Sequence, residues 1–465
     1  MELDALLLSR IQFVWVVALH ILLPAFTVGL ASYIAVLEAL HLRTGDAVYV
    51  RLSKYWTHIF AVSFGLGVVS GIVMPFQFGT NWSRFSDATA NISGPLLAYE
   101  GLTAFFLEST FLGILLFGRK LVPPWVHFMA AVLVALGTFS SSFWILAVNS
   151  WMQTPAGHEI VDGRFFAKDW FGVIFNPSLP YRLAHTLTAF FITTAFVVVA
   201  VAAYHLRRGK FAQECRVMLS MTLWLLTVLV PLQLVIGDAH GLNTLEYQPA
   251  KLAAMEGNWE TQRRMPAVLF GIPDAAAERN RFEIAIPALG SLYLTHSFDG
   301  EVKGLKDWAK EDRPPVAVVF FAFRIMVGAG LLMLAVVAAG LWLRYRGRLY
   351  DTAWFQRACL WSAPLGFIAV IAGWTTTEVG RQPWVVQGLL RTRDAVSPSL
   401  TTIDVALSLA LYVVVYVVVF GAGLFLLLRL IKAGPGDQEA AAPSPSLSAG
   451  RPLAAGVETL GKSAS

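Results

Sequence analysis

Cysteine is nearly absent: two residues in 465, Cys215 and Cys359, lie far apart and never in a C-x-x-C-H arrangement. That excludes the usual c-type haem attachment and gives no disulfide framework. Charge is scarce too, at 14% of residues against 56% hydrophobic, a balance rare in soluble proteins of this length and normal for a polytopic membrane protein. The basic excess of +5 needs no nucleic-acid partner, because much of it lies in short connections between apolar runs, where it sets orientation. A basic leader is also missing: the chain opens with Glu2 and Asp4, and the next apolar run is too long and lacks a clear cleavage site. It reads as a retained first span. No inverted internal repeat of the transporter kind is visible.

Nine apolar segments are long enough to cross a bilayer, near 11–40, 56–78, 96–118, 125–149, 183–206, 217–237, 316–343, 354–375 and 403–430. Basic residues follow spans 1, 3, 5 and 7: Arg43, Arg51 and Lys54; Arg119 and Lys120; Arg207, Arg208, Lys210 and Arg216; Arg344, Arg346 and Arg348. The positive-inside rule places these in the cytoplasm, the N-terminus outside and the C-terminus inside. Both cysteines then fall near the inner face, as reduced thiols would. The expected fold is an all-α polytopic helical bundle of nine transmembrane helices. Its parts are helices 1–6 over 1–237, an external loop over 238–315, helices 7–9 over 316–432, and a disordered cytoplasmic tail over 433–465, rich in Ala, Pro, Ser and Gly.

Polar residues inside apolar spans are costly and usually have a partner or a job. Glu378 and Arg381 end an apolar run within W-T-T-T-E-V-G-R-Q-P-W, Trp374–Trp384, and their spacing of three puts them on one side if the helix continues. An interfacial salt bridge beside an aromatic belt is the plainer reading. His20 lies in span 1, His185 opens span 5 and Met326 sits in span 7; taken singly, His20 reads as a hydrogen-bonded packing residue and Met326 as an ordinary core methionine, but His and Met together form a common axial pair for low-spin haem. Arg324, two residues before Met326, has a haem propionate as a possible partner. Span 3 carries Glu100 and Glu108, about 12 Å apart along a helix and within about a quarter turn, as a proton path or cofactor contacts would be. Alternatively they are neutral acids facing a partner helix. His20, Glu100, His185, Met326 and Glu378 share the outer half under the orientation set by loop charges. His41, His58, His127 and His205 lie toward inner ends, where a solvated or interfacial histidine is expected. Ser140–Ser142 reads as helix–helix hydrogen bonding, or as lining for a water path. The external loop opens at G-D-A-H-G, with Asp238, and continues to Lys251 and Glu256, either as polar groups that bind a small molecule's oxygens and accept its protons or, on these residues alone the favoured reading, as a solvated loop with ordinary ion pairs.

The W-x3-E-x-G-R-Q-P-W stretch closely resembles the C-terminal signature of subunit I of the bd-type quinol oxidases, and the likeness extends over about residues 1–430. The resemblance implies that Glu378 is an axial ligand of one high-spin haem and His20 serves the other, with Glu100 close to the pair. It implies His185 and Met326 as axial ligands of a low-spin haem b, and Lys251 and Glu256 as quinol-loop residues. Glu108 and Ser141 match a proton route, and Trp374, Arg324 and Arg381 match residues around the haems. The external loop is short, as in the branch that includes the cyanide-insensitive oxidases. The cofactors implied are a low-spin haem b, a high-spin haem b and a third, high-spin haem, d or b. The partners implied are a second large subunit, a small single-span subunit, quinol, O2 and membrane lipid, in the bacterial inner membrane. The implied activity is quinol oxidation at the outer face and reduction of O2 to water with protons from the cytoplasm, electrogenic without a pump. Two other readings stand beside it: a quinol-linked membrane cytochrome that passes electrons onward, and a proton-coupled transporter without haem.

Overall fold

The computed structural model describes residues 4–436. Most of the expected tail thus lies outside the described residues, while Ala433 itself closes the last helix. Among the described residues, nine helical stretches are long and apolar enough to cross a membrane, as expected.

The first is broken. α1 (Ala5–Leu22) and α2 (Pro24–Thr44) meet at Pro24, which has no N–H to donate. Asp4 caps α1 by accepting from Leu7 N at 2.7 Å, and Gly45, at φ 69°, ends α2 in the left-handed region. α3 (Ala47–Thr80) starts on the Asp46 cap. The third crossing begins earlier than the sequence suggested, with α4 (Ser83–Tyr99), and it is not one α-helix. A π-helical stretch, Glu100–Phe105, precedes α5 (Phe106–Phe117) and resets the angle between Glu100 and Glu108 that a regular helix would impose.

α6 (Pro124–Gln153) leads to a small hairpin, β1 (His158–Val161) with β2 (Arg164–Ala167), then α7 (Trp170–Ile174) and α8 (Leu179–Leu206). α9 (Ala212–Tyr247) runs well beyond the expected end at 237, so Asp238 and the G-D-A-H-G stretch are helical and the loop opens at Gln248. The loop folds as α10 (Pro249–Glu256), β3 (Gln262–Arg263), the β4 (Ala267–Asp274) and β5 (Arg279–Ile286) hairpin, α11 (Leu289–Thr295), and β6 (Glu301–Val302) paired with β3. α12 (Val316–Tyr345) re-enters the bundle. The eighth crossing is α13 (Ala353–Trp361) followed, after Pro364, by α14 (Leu365–Val379). After β7 (Trp384–Val386), β8 (Leu390–Arg391) and α15 (Thr392–Ala395), α16 (Thr402–Ala433) starts on a Thr401/Asp404 capping box.

The main core is built from α2, α3, α6, α8 and α9 around Leu30, Trp56 and Phe196, all essentially inaccessible. One end of the bundle gathers the basic connections: Arg51 at the start of α3 pairs with Glu214 at the start of α9 at 2.7 Å. At the same end a buried cluster joins four elements, with Glu38 accepting from Ser53 and Arg119 and lying 3.2 Å from His127 Nδ1. His127 and His205 are 2% and 1% exposed, so of the solvated or interfacial places expected for them the solvated one does not hold. Their other contacts are backbone carbonyls, Leu115 O for His127 and Ile431 O for His205.

Candidate active site

At the opposite end, α14 delivers Glu378 to α6. Glu378 Oε1 accepts from Asn149 Nδ2 and Gln153 Nε2, both at 3.0 Å, and Oε2 pairs with Arg381 at 2.5 Å. Asn149 and Gln153 stand one turn apart on one face of α6, a polar i,i+4 pair in an apolar span that was a readable signal. The chain of bonds continues outward. Lys251 Nζ donates to Gln153 Oε1 at 2.6 Å and to Gln248 Oε1 at 2.7 Å. One glutamine therefore joins the loop lysine to the signature glutamate. Gly380 permits the approach: a Cβ there would sit 2.8 Å from Lys251 Cγ.

His185 and Met326 occupy α8 and α12, each of which packs against both α9 and α14. Facing side chains in such a four-helix group are where a bundle holds a cofactor. A glycine of the neighbouring helix meets each ligand candidate: Gly237 against His185, Gly373 against Met326 and Gly71 against His20, with a built Cβ 3.3, 3.0 and 3.3 Å away. His185 Nδ1 is buried without a partner. His20 Nδ1 bonds Ser70 Oγ at 2.9 Å, which leaves Nε2 for a metal. Trp374 lies in the seam between these regions, packed with Ile21 and Val28 on one side and Leu146 and Leu179 on another. Among the described residues no three His, Cys, Asp or Glu side chains converge on a metal ion. Single, separated donors are what a haem iron would need, since the macrocycle would supply its other donors. The imidazole, thioether and carboxylate set, the orphaned imidazole nitrogen and the glycine-cleared faces all fit haem.

Glu100 accepts from Ser141 Oγ at 2.9 Å, and Ser140 Oγ lies 3.4 Å from Thr103 Oγ1, so these serines do join helices as expected. Ser142 bonds Thr138 O within its own helix. Glu108 is 8% exposed and packs on Gly137, one turn along α6 from Ser141. The two acids therefore meet successive turns of α6.

The loop residues divide. Lys251 and Glu256 point to different sides of α10: Lys251 lines a cleft with Tyr247, Arg381 and Trp384, whereas Glu256 lines a second with Trp259, Asn280 and Glu283. Five residues on a helix are about 140° apart, so the pair cannot grip one small ring system together. Asp238 is exposed on α9 and lines neither cleft. Burial pushes the Glu256 carboxyl above its ordinary range, against the opposing hydrogen bond from Tyr293 and the charge of Arg324. Burial, with the charge of Arg182 next, pushes the Lys251 ammonium well below its usual value. Arg324 donates to Met255 O at 2.7 Å, to Phe320 O and to Val268 O through its terminal nitrogens, and its guanidinium stacks on Phe320, while its Nε is buried without a partner. It ties α12 to the loop.

Fold and site define a polytopic helical membrane protein with a haem-compatible core at the end that carries the folded loop 248–315. The family model described as cytochrome bd terminal oxidase subunit I matches residues 8–435. The chain is 37% identical over 444 residues to a cytochrome bd ubiquinol oxidase subunit 1 of Bacillus subtilis, covering 92% of this chain and 94% of that one. It is 33% identical over 511 residues to the cytochrome bd-II ubiquinol oxidase subunit 1 of Escherichia coli, covering 95% and 99%. The solved bd oxidase of Geobacillus thermodenitrificans superposes with a TM-score of 0.87 at 31% identity, covering 93% of this chain and 99% of that chain. The chain belongs to the cytochrome bd terminal oxidase subunit I family, whose members use haems. That membership sets aside the transporter reading.

Proposed function

We propose that this chain is the haem-bearing subunit of a respiratory quinol oxidase that reduces O2 to water. The observation that carries the reading is the bonded line from Lys251 through Gln153 to Glu378, which links the external loop to the signature carboxylate. The relatives' names, which specify ubiquinol oxidase subunits 1, support a quinol substrate and a second subunit as partner. Nine helices among the described residues that are long and apolar enough to cross a membrane, in a family with bacterial members, support the bacterial inner membrane.

His185 and Met326 hold a low-spin haem b, while His20 and Glu378 hold two high-spin haems, one b and one d or b. When bound, these groups supply one-electron transfer and the iron at which O2 is reduced. Glu256 accepts a hydroxyl proton of quinol on the outer side, Tyr293 and Arg324 orienting the carboxylate. Lys251 is fixed by Gln153 and Gln248 at the wall of the neighbouring cleft. Glu108 passes cytoplasmic protons toward Glu100, which Ser141 holds against α6. Protons released on one face and taken up from the other generate a potential without a pump.

A dithionite-reduced minus air-oxidised spectrum of the purified complex tests the reading. A low-spin b band with high-spin features is expected, and a far-red chlorin band assigns haem d. Absence of haem from a folded preparation ends the proposal; low-spin haem alone moves it to a cytochrome that passes electrons onward. For the proton route, Glu108→Gln is expected to slow quinol-driven O2 uptake about 10²-fold with all haem bands intact. A normal rate would remove Glu108 from the route.

A further inference from the structure

Arg182 is the buried charge that the reading above leaves unused. It lies in the first turn of α8, 4% exposed, with its Nε sealed from solvent and without a hydrogen-bond partner. The carboxylate whose charge reaches it, Glu378, is committed to Arg381, Asn149 and Gln153. Arg381 shares the shortage: its Nη2 is on Glu378, while Nε and Nη1 are buried without partners. Lys251 belongs to the same group of mutually acting charges. A lysine can shed its proton in such company, but a guanidinium cannot. Two fixed positive charges therefore share one carboxylate, and a buried charge without a counter-charge is strongly unfavourable. The pocket is short of an anion.

The place of Arg182 indicates which anion. It precedes His185 by three residues, about 4.5 Å along the axis and on the same side of the helix. Side chains lean toward the N-terminal end of their helix, so the guanidinium reaches past the His185 ring toward the loop end of the bundle. A haem carries two carboxylates on one edge. Arg324, the arginine that the sequence offered for this contact, commits both terminal nitrogens to carbonyls of the loop and of its own helix and keeps only its buried Nε unpaired. We infer that Arg182 binds a propionate carboxylate of the low-spin haem held by His185, and that its charge raises that haem's reduction potential. The inference rests on the haem reading of His185.

Potentiometric titration of the low-spin band in the intact complex tests it. Arg182→Gln is expected to lower the midpoint potential through about a tenfold change in the reduction equilibrium, about 59 mV for a one-electron couple. The fall follows because a nearby cation favours the reduced haem. Arg182→Lys keeps the charge and is expected to recover most of the shift. An unchanged midpoint in Arg182→Gln overturns the inference, and so do equal shifts in both variants, which would mark a packing role. If Arg182→Gln does not assemble, resonance Raman of the unaltered complex decides: the propionate bending band is expected where hydrogen-bonded propionates absorb, and a band typical of free propionates overturns the assignment. Absence of any low-spin haem from the unaltered complex would instead sink the reading on which the inference rests.

Discussion

Glu378→Gln is expected to abolish one high-spin haem signal and to cut O2 uptake about 100-fold or more, while the low-spin band on His185 and Met326 survives. The substitution keeps an amide oxygen that Asn149 and Gln153 can still reach, so the α6 contacts persist. It removes the charge opposite Arg381, which is 6% exposed and has no other partner for its Nη2. Breaking a buried pair from one side costs about 3–5 kcal/mol, because the remaining charge stays buried and unpaired. Reduced-minus-oxidised spectra and thermal unfolding in detergent separate the two effects. Destabilisation with every haem band retained would make Glu378 a structural anchor and remove it from the ligand set.

Glu256→Gln is expected to lower quinol-driven turnover about 10²–10⁴-fold while the haems still reduce with dithionite, since it removes a base and no haem ligand. A base works in its deprotonated form. Burial holds this carboxyl above the ordinary range, so the normal enzyme's rate should rise with pH through that raised value and level off above it. The variant loses that limb. Tyr293 and Arg324 face the carboxylate, and Glu278, Glu283 and Lys306 line the same cleft. The stability sign runs the other way. A carboxyl whose folded value is raised contributes stability that is fully present below its unfolded value and lost as pH rises through the folded one. Glu256→Gln should therefore flatten the decline in thermal stability over that window. If steady-state kinetics kept the pH limb in the variant, the base would have to be another group.

What was legible in the sequence was what a single stretch of chain carries. The apolar runs fixed the number of crossings, because a helix in lipid must satisfy its own backbone and cover itself with apolar side chains. Trp374–Trp384 carried the family in its own eleven residues, and His20, His185, Met326 and Glu378 were visible as polar or ligating groups where apolar ones belong. Helix ends were less legible: α9 continues to Tyr247 because packing against the loop's own helix α10 sustains it where hydropathy falls.

Only the tertiary structure decided which partner each buried charge has. Arg324 lies two residues from a ligand candidate yet turns to the carbonyls of Met255 and Val268, from the loop folded over it. Lys251 and Glu256 share one short helix yet line separate clefts, because the helical angle between them sends them apart. Glu378 meets Asn149 and Gln153 from more than two hundred residues earlier, and Arg182 is left short of an anion beside them. Hydropathy and helix periodicity are properties of neighbouring residues, so the sequence by itself determines the apolar crossings and the polar residue types set within them. The counter-charge of a buried group is supplied by whichever helix packs opposite, and that is a property of the folded chain alone.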